Sequence, residues 1–128
     1  MLGAPVASIL IVEDEPDMRE LMARKLRDAG HTITTTRTGA EGLAFLRAER
    51  PDLVLLDVKL PDTSGLSVCE TVRDDADIRD TLVVMVSASA GQEEVDAGLA
   101  AGADDYVTKP FAPSNLVRRI AALLSTDR

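Results

Sequence analysis

At 128 residues the chain fits one compact domain and leaves little for a second, and a 45% hydrophobic content supports a core without covalent staples. Aromatic residues make up only 2%, so that core must be Val, Leu, Ile and Ala; the single cysteine, Cys69, excludes an internal disulfide and reads as a small buried apolar residue in a reducing compartment. A formal charge of −8 disfavours non-specific nucleic-acid contact by this domain, and no apolar run approaches the roughly 20 residues a membrane helix needs.

Residues 1–7 carry neither a basic segment nor a long apolar one, so no signal peptide is expected. The first strand is predicted over 8–12. It is followed by Glu13-Asp14-Glu15 and by a helix opening at Pro16, with Met18, Leu21, Met22, Leu26 and Ala29 on one stripe and Gly30 as a left-handed cap. His31, the only histidine, falls where this helix turns back into a second strand over 32–36; a surface position is expected for it. A third strand over 52–56 contains Leu53-Val54-Leu55-Leu56, apolar at every position, and runs into Asp57 and the turn-rich loop Val58-Lys59-Leu60-Pro61-Asp62-Thr63-Ser64-Gly65. The acids Glu70, Asp74, Asp75, Asp77 and Asp80 read as a solvated face. A fourth strand over 82–86 is again continuously apolar and ends at Ser87-Ala88. Continuous apolar strands are covered on both faces, as in a parallel sheet between helix layers.

The stretch 91–101 is the weakest helix. Gly91 and Gly98 interrupt it, each interior glycine costing about 1 kcal/mol against alanine, and its stripe is little more than Val95 and Leu99. A fifth strand over 105–108 ends at Lys109-Pro110. A last helix begins near Pro113, with Leu116, Val117, Ile120, Leu123 and Leu124 on its apolar side. Five β-α units imply right-handed crossovers and a doubly wound, five-stranded parallel sheet of order 2-1-3-4-5. The chain is read as one domain over 1–128, with its core at about 8–124.

In such a sheet the working site lies at the carboxyl ends of the strands, at the point where the order reverses. Taken singly, the residues there have plain structural readings. Asp14 or Glu15 caps a helix, Asp57 turns the chain, Ser87 caps a helix and Lys109 is a solvated loop residue. Taken jointly they place an acid pair, an acid, a hydroxyl and an ammonium on one rim. Three acids after the first strand repel phosphate and attract a hard cation, unlike the glycine-rich loop of a nucleotide-binding domain. Carboxylates of Asp14 and Asp57, with a backbone carbonyl and waters, suit octahedral Mg²⁺. A cation and Lys109 would stabilise a transferring phosphoryl group, which makes Asp57 the natural nucleophile.

The segments "ILIVEDEP", "PDLVLLDVKLPDTSG", "VVMVSA" and "GADDYVTKPF" resemble the receiver domains of two-component response regulators, over about 8–124, with the flavodoxin-like (βα)5 fold. The resemblance implies phosphorylation of Asp57 by a sensor histidine kinase or phosphotransfer protein. Mg²⁺, or Mn²⁺ in its place, would be held by Glu13, Asp14, Asp57 and the Lys59 carbonyl. Ser87 would be the switch hydroxyl and Lys109 the phosphate-binding ammonium. Tyr106 would be the switch aromatic, entering space that Ser87 vacates, and Lys109-Pro110 a cis peptide. Lys59 and Ser89 match positions flanking the path of the hydrolytic water. The implied chemistry is self-phosphorylation and autodephosphorylation in the cytoplasm, with no turnover of another substrate.

"GADDYVTKPF" is closest to receivers of winged-helix transcription factors, which pair through the fourth helix, fifth strand and fifth helix. That surface would engage an output domain, a target protein or a second receiver. Asp105 and Arg119 fit the pairing scheme, whereas Val95 and Asn115 stand where that group carries a basic and an acidic residue. Three other readings are weighed. A phosphatase of the haloacid dehalogenase type needs a second acid at position 59 and a nucleophile after its first strand. An FMN carrier conflicts with the acidic first loop. A phosphate-independent binding module would keep the fold but not need the complete set of site residues.

Overall fold

The computed structural model describes residues 6–125; residues 1–5 and 126–128, and with them most of the stretch read for a signal peptide, lie outside the described residues. The elements alternate throughout: β1 (Ser8–Val12), α1 (Pro16–Asp28), β2 (Thr32–Thr36), α2 (Gly39–Glu49), β3 (Leu53–Asp57), α3 (Gly65–Asp74), β4 (Leu82–Ser87), α4 (Gln92–Ala100), β5 (Asp105–Thr108) and α5 (Pro113–Ser125). The strands form one parallel sheet in the order β2-β1-β3-β4-β5.

Helices cover both faces, which explains why the central strands are apolar at every position. Along β3, Leu53 and Leu55 point to the side of α1 and α5, meeting Met22, Leu26, Leu116 and Ile120. Val54 and Leu56 point to the other side, meeting Leu46, Val68, Cys69 and Val72 of α2 and α3. Side chains alternate along a strand with period two, so a strand buried on both faces has no polar positions to show. The edge strand β2 buries only Ile33.

Two strands run further than their apolar runs suggest. Asp57 is the last residue of β3, its Cα paired with that of Val86, and Ser87 is the last residue of β4, paired with Thr108. The ladders therefore carry both residues to the rim on rigid backbone. The helix ends follow the sequence. Glu15 caps α1, accepting the Met18 N–H, with Pro16 next in the first turn. Gly30, at φ +101°, closes the helix with its own N–H on the Arg27 carbonyl and the His31 N–H on the Leu26 carbonyl.

Three expectations are corrected. His31 is not a surface residue. It lies at the expected end of the sheet but is only 6% exposed, and its Nδ1 accepts the Ala7 N–H at 3.0 Å, which ties the start of β1 to the turn before β2. In α4 the sheet-facing side centres on Val95 and Gly98 rather than on Val95 and Leu99. Gly98 is the helix's one buried residue and Leu99 is 46% exposed, because the ring of Tyr106 occupies the ground beneath residue 98. Gly91 does not interrupt α4 as read from the sequence but caps it from outside, supplying no side-chain hydrogen bond, so Gly98 is the only interior glycine. The acids of 70–80 are exposed apart from Asp75, which is half-buried and pairs with Arg47 at 3.2 Å.

Candidate functional site

Four strand ends deliver the site. Glu13 follows β1 directly, its N–H bonded to the Thr36 carbonyl at 3.1 Å, so it sits at the edge of the sheet and is 1% exposed. Asp14, one residue on, is exposed. Asp57 closes β3, Ser87 closes β4, and Lys109 follows β5 with its N–H on the Ser87 carbonyl at 2.8 Å. The Lys109-Pro110 peptide is cis.

The Lys109 ammonium joins the two buried acids. Its Nζ donates to Glu13 Oε1 at 2.8 Å and to Asp57 Oδ2 at 3.0 Å, and all three side chains are largely shielded from solvent. The remaining oxygens take backbone donors: Asp57 Oδ1 accepts the Lys59 N–H at 3.1 Å and Glu13 Oε2 the Glu15 N–H at 3.2 Å. Burial holds the Glu13 carboxyl above its ordinary pKa, with the Asp57 charge adding to it, against the opposing pull of Lys109 and the Glu15 N–H. For Lys109 burial alone would lower the pKa. Hydrogen bonds and charge from Glu13 and Asp57 together outweigh it, so the ammonium stays above its ordinary value.

Glu13, Asp14 and Asp57 each present a carboxylate oxygen, and these lie within 4.8 Å of one another. Such a set of hard oxygen donors fits a small divalent cation. Lys109 offsets part of the negative charge, and exposed Asp14 leaves the cluster open on one side. The Lys59 side chain is exposed, while its main chain is held at the site by the bond to Asp57.

Ser87 is buried, and its Oγ accepts the Ser89 N–H at 3.1 Å. Tyr106 is also buried; its hydroxyl donates to the Ser89 carbonyl at 2.6 Å. The ring thus starts from inside the α4-β5 contact. In this state the ring lies over Gly98, whose missing side chain leaves room for it. Asp105 and Arg119 satisfy each other within the chain, Nε to Oδ2 at 2.8 Å and Nη2 to Oδ1 at 2.6 Å. Val95 is half-buried against the Tyr106 side of the core, and Asn115 accepts from Arg118.

Two contributors were not singled out from sequence. Arg19, on the first turn of α1, donates to the carbonyls of Glu13 at 3.0 Å and Asp14 at 3.3 Å, holding the acidic turn. Its signal is an arginine one turn inside a helix that opens right after the acids. Asp62 reaches from the β3–α3 loop to α2, where the Gly39 and Ala40 N–H groups hold its carboxyl below the ordinary pKa. No sequence period points to a partner that far away.

Residues 9–121 match the response regulator receiver domain family. This chain belongs to that family. The receiver domain is 44% identical over 122 residues to the probable transcriptional regulatory protein TcrX of Mycobacterium tuberculosis, covering 95% of this chain and 51% of that protein. It is 43% identical over 118 residues to the transcriptional regulatory protein BaeR of Escherichia coli, covering 91% and 47%. It therefore spans about half the length of the curated relatives it matches. Among solved structures it is similar to the BeF3-activated receiver domain of DrrB, with a TM-score of 0.85 and 33% identity over 95% of this chain and 100% of that one. DrrB is described as a Thermotoga maritima OmpR/PhoB homologue. A putative response regulator from Chloroflexus aurantiacus aligns with a TM-score of 0.90 and 32% identity, over 95% and 100%. No described helix of the receiver domain is long and apolar enough to cross a membrane.

Proposed function

We propose that this receiver domain accepts a phosphoryl group on Asp57 from a histidine kinase or phosphotransfer protein and signals the change to an output domain. The observation that carries the reading is the Asp57 carboxylate at the end of β3, 3.0 Å from the Lys109 ammonium and beside the acid pair Glu13 and Asp14. An Asp57 oxygen attacks the phosphorus of the phosphohistidine. The P–N bond breaks, the imidazole nitrogen leaves with the electron pair, and an acyl phosphate forms on Asp57. Hydrolysis of its P–O bond by water later restores the carboxylate, so the domain turns over only its own modification.

Lys109 sits where it can pass from the Asp57 carboxylate to the oxygens of the incoming phosphoryl group. Glu13, Asp14, Asp57 and the Lys59 carbonyl would hold a divalent cation, Mg²⁺ or Mn²⁺. When bound it supplies charge neutralisation on the phosphoryl oxygens. The phosphoryl group adds strong acceptor oxygens, to which the Ser87 hydroxyl can turn by giving up the Ser89 N–H. Ser89 also holds the Tyr106 hydroxyl, so that exchange reaches α4 through one residue. The readout surface is α4-β5-α5, toward an output domain, a target or a second receiver. The relatives named as transcriptional regulators support a DNA-binding output in the cytoplasm, the acidic receiver itself making no nucleic-acid contact.

The test is intact mass after incubation with acetyl phosphate and Mg²⁺. One phosphoryl group is expected on the wild type and none on Asp57→Asn. Equal labelling of both refutes the assignment of Asp57, and no labelling of either leaves a phosphate-independent binding module.

A further inference from the structure

The β3–α3 loop is fastened at its base and again at its tip. At the base, the Gly65 N–H donates to the Val58 carbonyl at 2.7 Å, and Lys59 and Ser64 form an isolated antiparallel bridge. The Lys59 N–H is in turn bonded to Asp57 Oδ1. At the tip, the Asp62 carboxylate reaches out of the loop altogether. Its Oδ1 accepts the Gly39 N–H at 2.8 Å and its Oδ2 the Ala40 N–H at 3.0 Å. These are the first two residues of α2; the third, Glu41, donates to Thr38 Oγ1 at 3.1 Å.

The helix therefore takes one first-turn acceptor from its own cap and two from a different loop. The capping Thr38 alone is the ordinary provision for a helix end. The facing surface is shaped to match. A Cβ at position 39 would lie 2.5 Å from Thr63 Cγ2 and 3.1 Å from Val68 Cγ2, so only glycine lets α2 come this close to the loop. Because the loop is closed by the Lys59–Ser64 bridge, the place where its tip is held bears on the Lys59 main chain.

We infer that Asp62 is a positioning residue for the phosphoacceptor: it ties the β3–α3 loop to the first turn of α2 and thereby holds the Lys59 main chain in place beside Asp57. This rests on the phosphoacceptor reading of Asp57. The Lys59 N–H supports one Asp57 oxygen, and the Lys59 carbonyl is the loop's contribution to the cation set. Release of the tip would let both drift. The coupling is reciprocal, so a cation bound at Asp57 stabilises the contact at Gly39 and Ala40.

The experiment titrates Mg²⁺ into ¹⁵N-labelled full-length chain as wild type, Asp62→Ala and Asp62→Asn, following amide shifts and amide hydrogen exchange. Asp62→Ala is expected to bind Mg²⁺ roughly fivefold more weakly than wild type, at the low end of ordinary site-to-site coupling. Asp62→Asn, which keeps one acceptor oxygen, should fall between. Mg²⁺ should slow exchange at Gly39 and Ala40 in the wild type and not in Asp62→Ala. If both variants lower the thermal midpoint but keep the wild-type Mg²⁺ affinity and Lys59 amide shift, Asp62 is a helix cap only and the inference is overturned. Should Asp62→Ala not fold, Asp62→Asn against wild type decides on the same readings. Coupled Mg²⁺ binding in a chain that takes no phosphoryl group from acetyl phosphate would sink the phosphoacceptor reading and keep the clamp. Phosphorylation without coupling would sink the clamp alone.

Discussion

Gly98→Ala sets two effects of opposite sign against each other. In a solvent-exposed helix interior the change stabilises by about 1 kcal/mol. Here the new Cβ would stand 2.8 Å from Tyr106 Cδ2 and 3.0 Å from Cε2, with Met85 Cγ at 3.6 Å. Carbon atoms at rest lie about 3.5–4.0 Å apart, so the closest approach is short by about 0.7 Å. The ring cannot yield inward, because it is buried against Met85 and its hydroxyl is held by the Ser89 carbonyl at 2.6 Å. Either α4 backs off or the tyrosine leaves. Overpacking of this kind costs about 1–3 kcal/mol, and loss of the hydroxyl bond adds about 1 kcal/mol if the ring swings out. The net expectation is a destabilisation of about 0–2 kcal/mol if α4 backs off and about 1–3 kcal/mol if the ring swings out, where propensity alone forecasts a gain. Urea unfolding measures it, with exposed Ala97→Gly as the reference for propensity at the neighbouring position. Tyrosine emission reports the ring directly, since the chain has one tyrosine and no tryptophan. Increased quenching of Tyr106 by acrylamide should accompany the loss. A Gly98→Ala chain that gains the full 1 kcal/mol or so with unchanged quenching would refute the packing argument.

Lys109→Met leaves Glu13 and Asp57 facing each other without their shared cation; breaking a buried pair in this way should cost about 3 kcal/mol in urea unfolding without divalent ions, and Mg²⁺ should recover more stability in the variant than in wild type. The pH dependence of stability should carry a His31 component. Burial lowers its pKa from the ordinary 6.5, and Nδ1 accepts the Ala7 N–H only when unprotonated. The unfolded chain therefore binds the proton more readily. This contribution is fully present above pH 6.5 and is lost as the pH falls from there toward the lowered folded value. Urea midpoints at pH about 7.5 and 5.5 should diverge more in wild type than in His31→Asn, whose amide oxygen can accept the same N–H at either pH; equal divergence would show that His31 is not the source.

The chain's own pattern was enough for the sheet and for the rim. Continuous apolar runs at 53–56 and 82–86 require cover on both faces, which in alternation with helices leaves a parallel sheet. Once the sheet is parallel, the strand ends converge, and Glu13, Asp57, Ser87 and Lys109 meet because each directly follows or closes a strand. These inferences rest on periodicity and on backbone hydrogen bonding, both of which are local and repeat along the chain. What the pattern could not supply was the direction of individual side chains. That Lys109 bridges Glu13 and Asp57, that Asp62 spans to Gly39 and Ala40, and that Arg19 holds the carbonyls of the acidic turn are contacts between segments far apart or around a turn, set by distances of a few ångströms. The same reason accounts for the two reversals. A histidine between a helix and a strand reads as surface until the Ala7 N–H is placed beside it. Gly98 reads only as a weak point in α4 until Tyr106 is packed beneath it, since a glycine's missing side chain has meaning only through what fills the space.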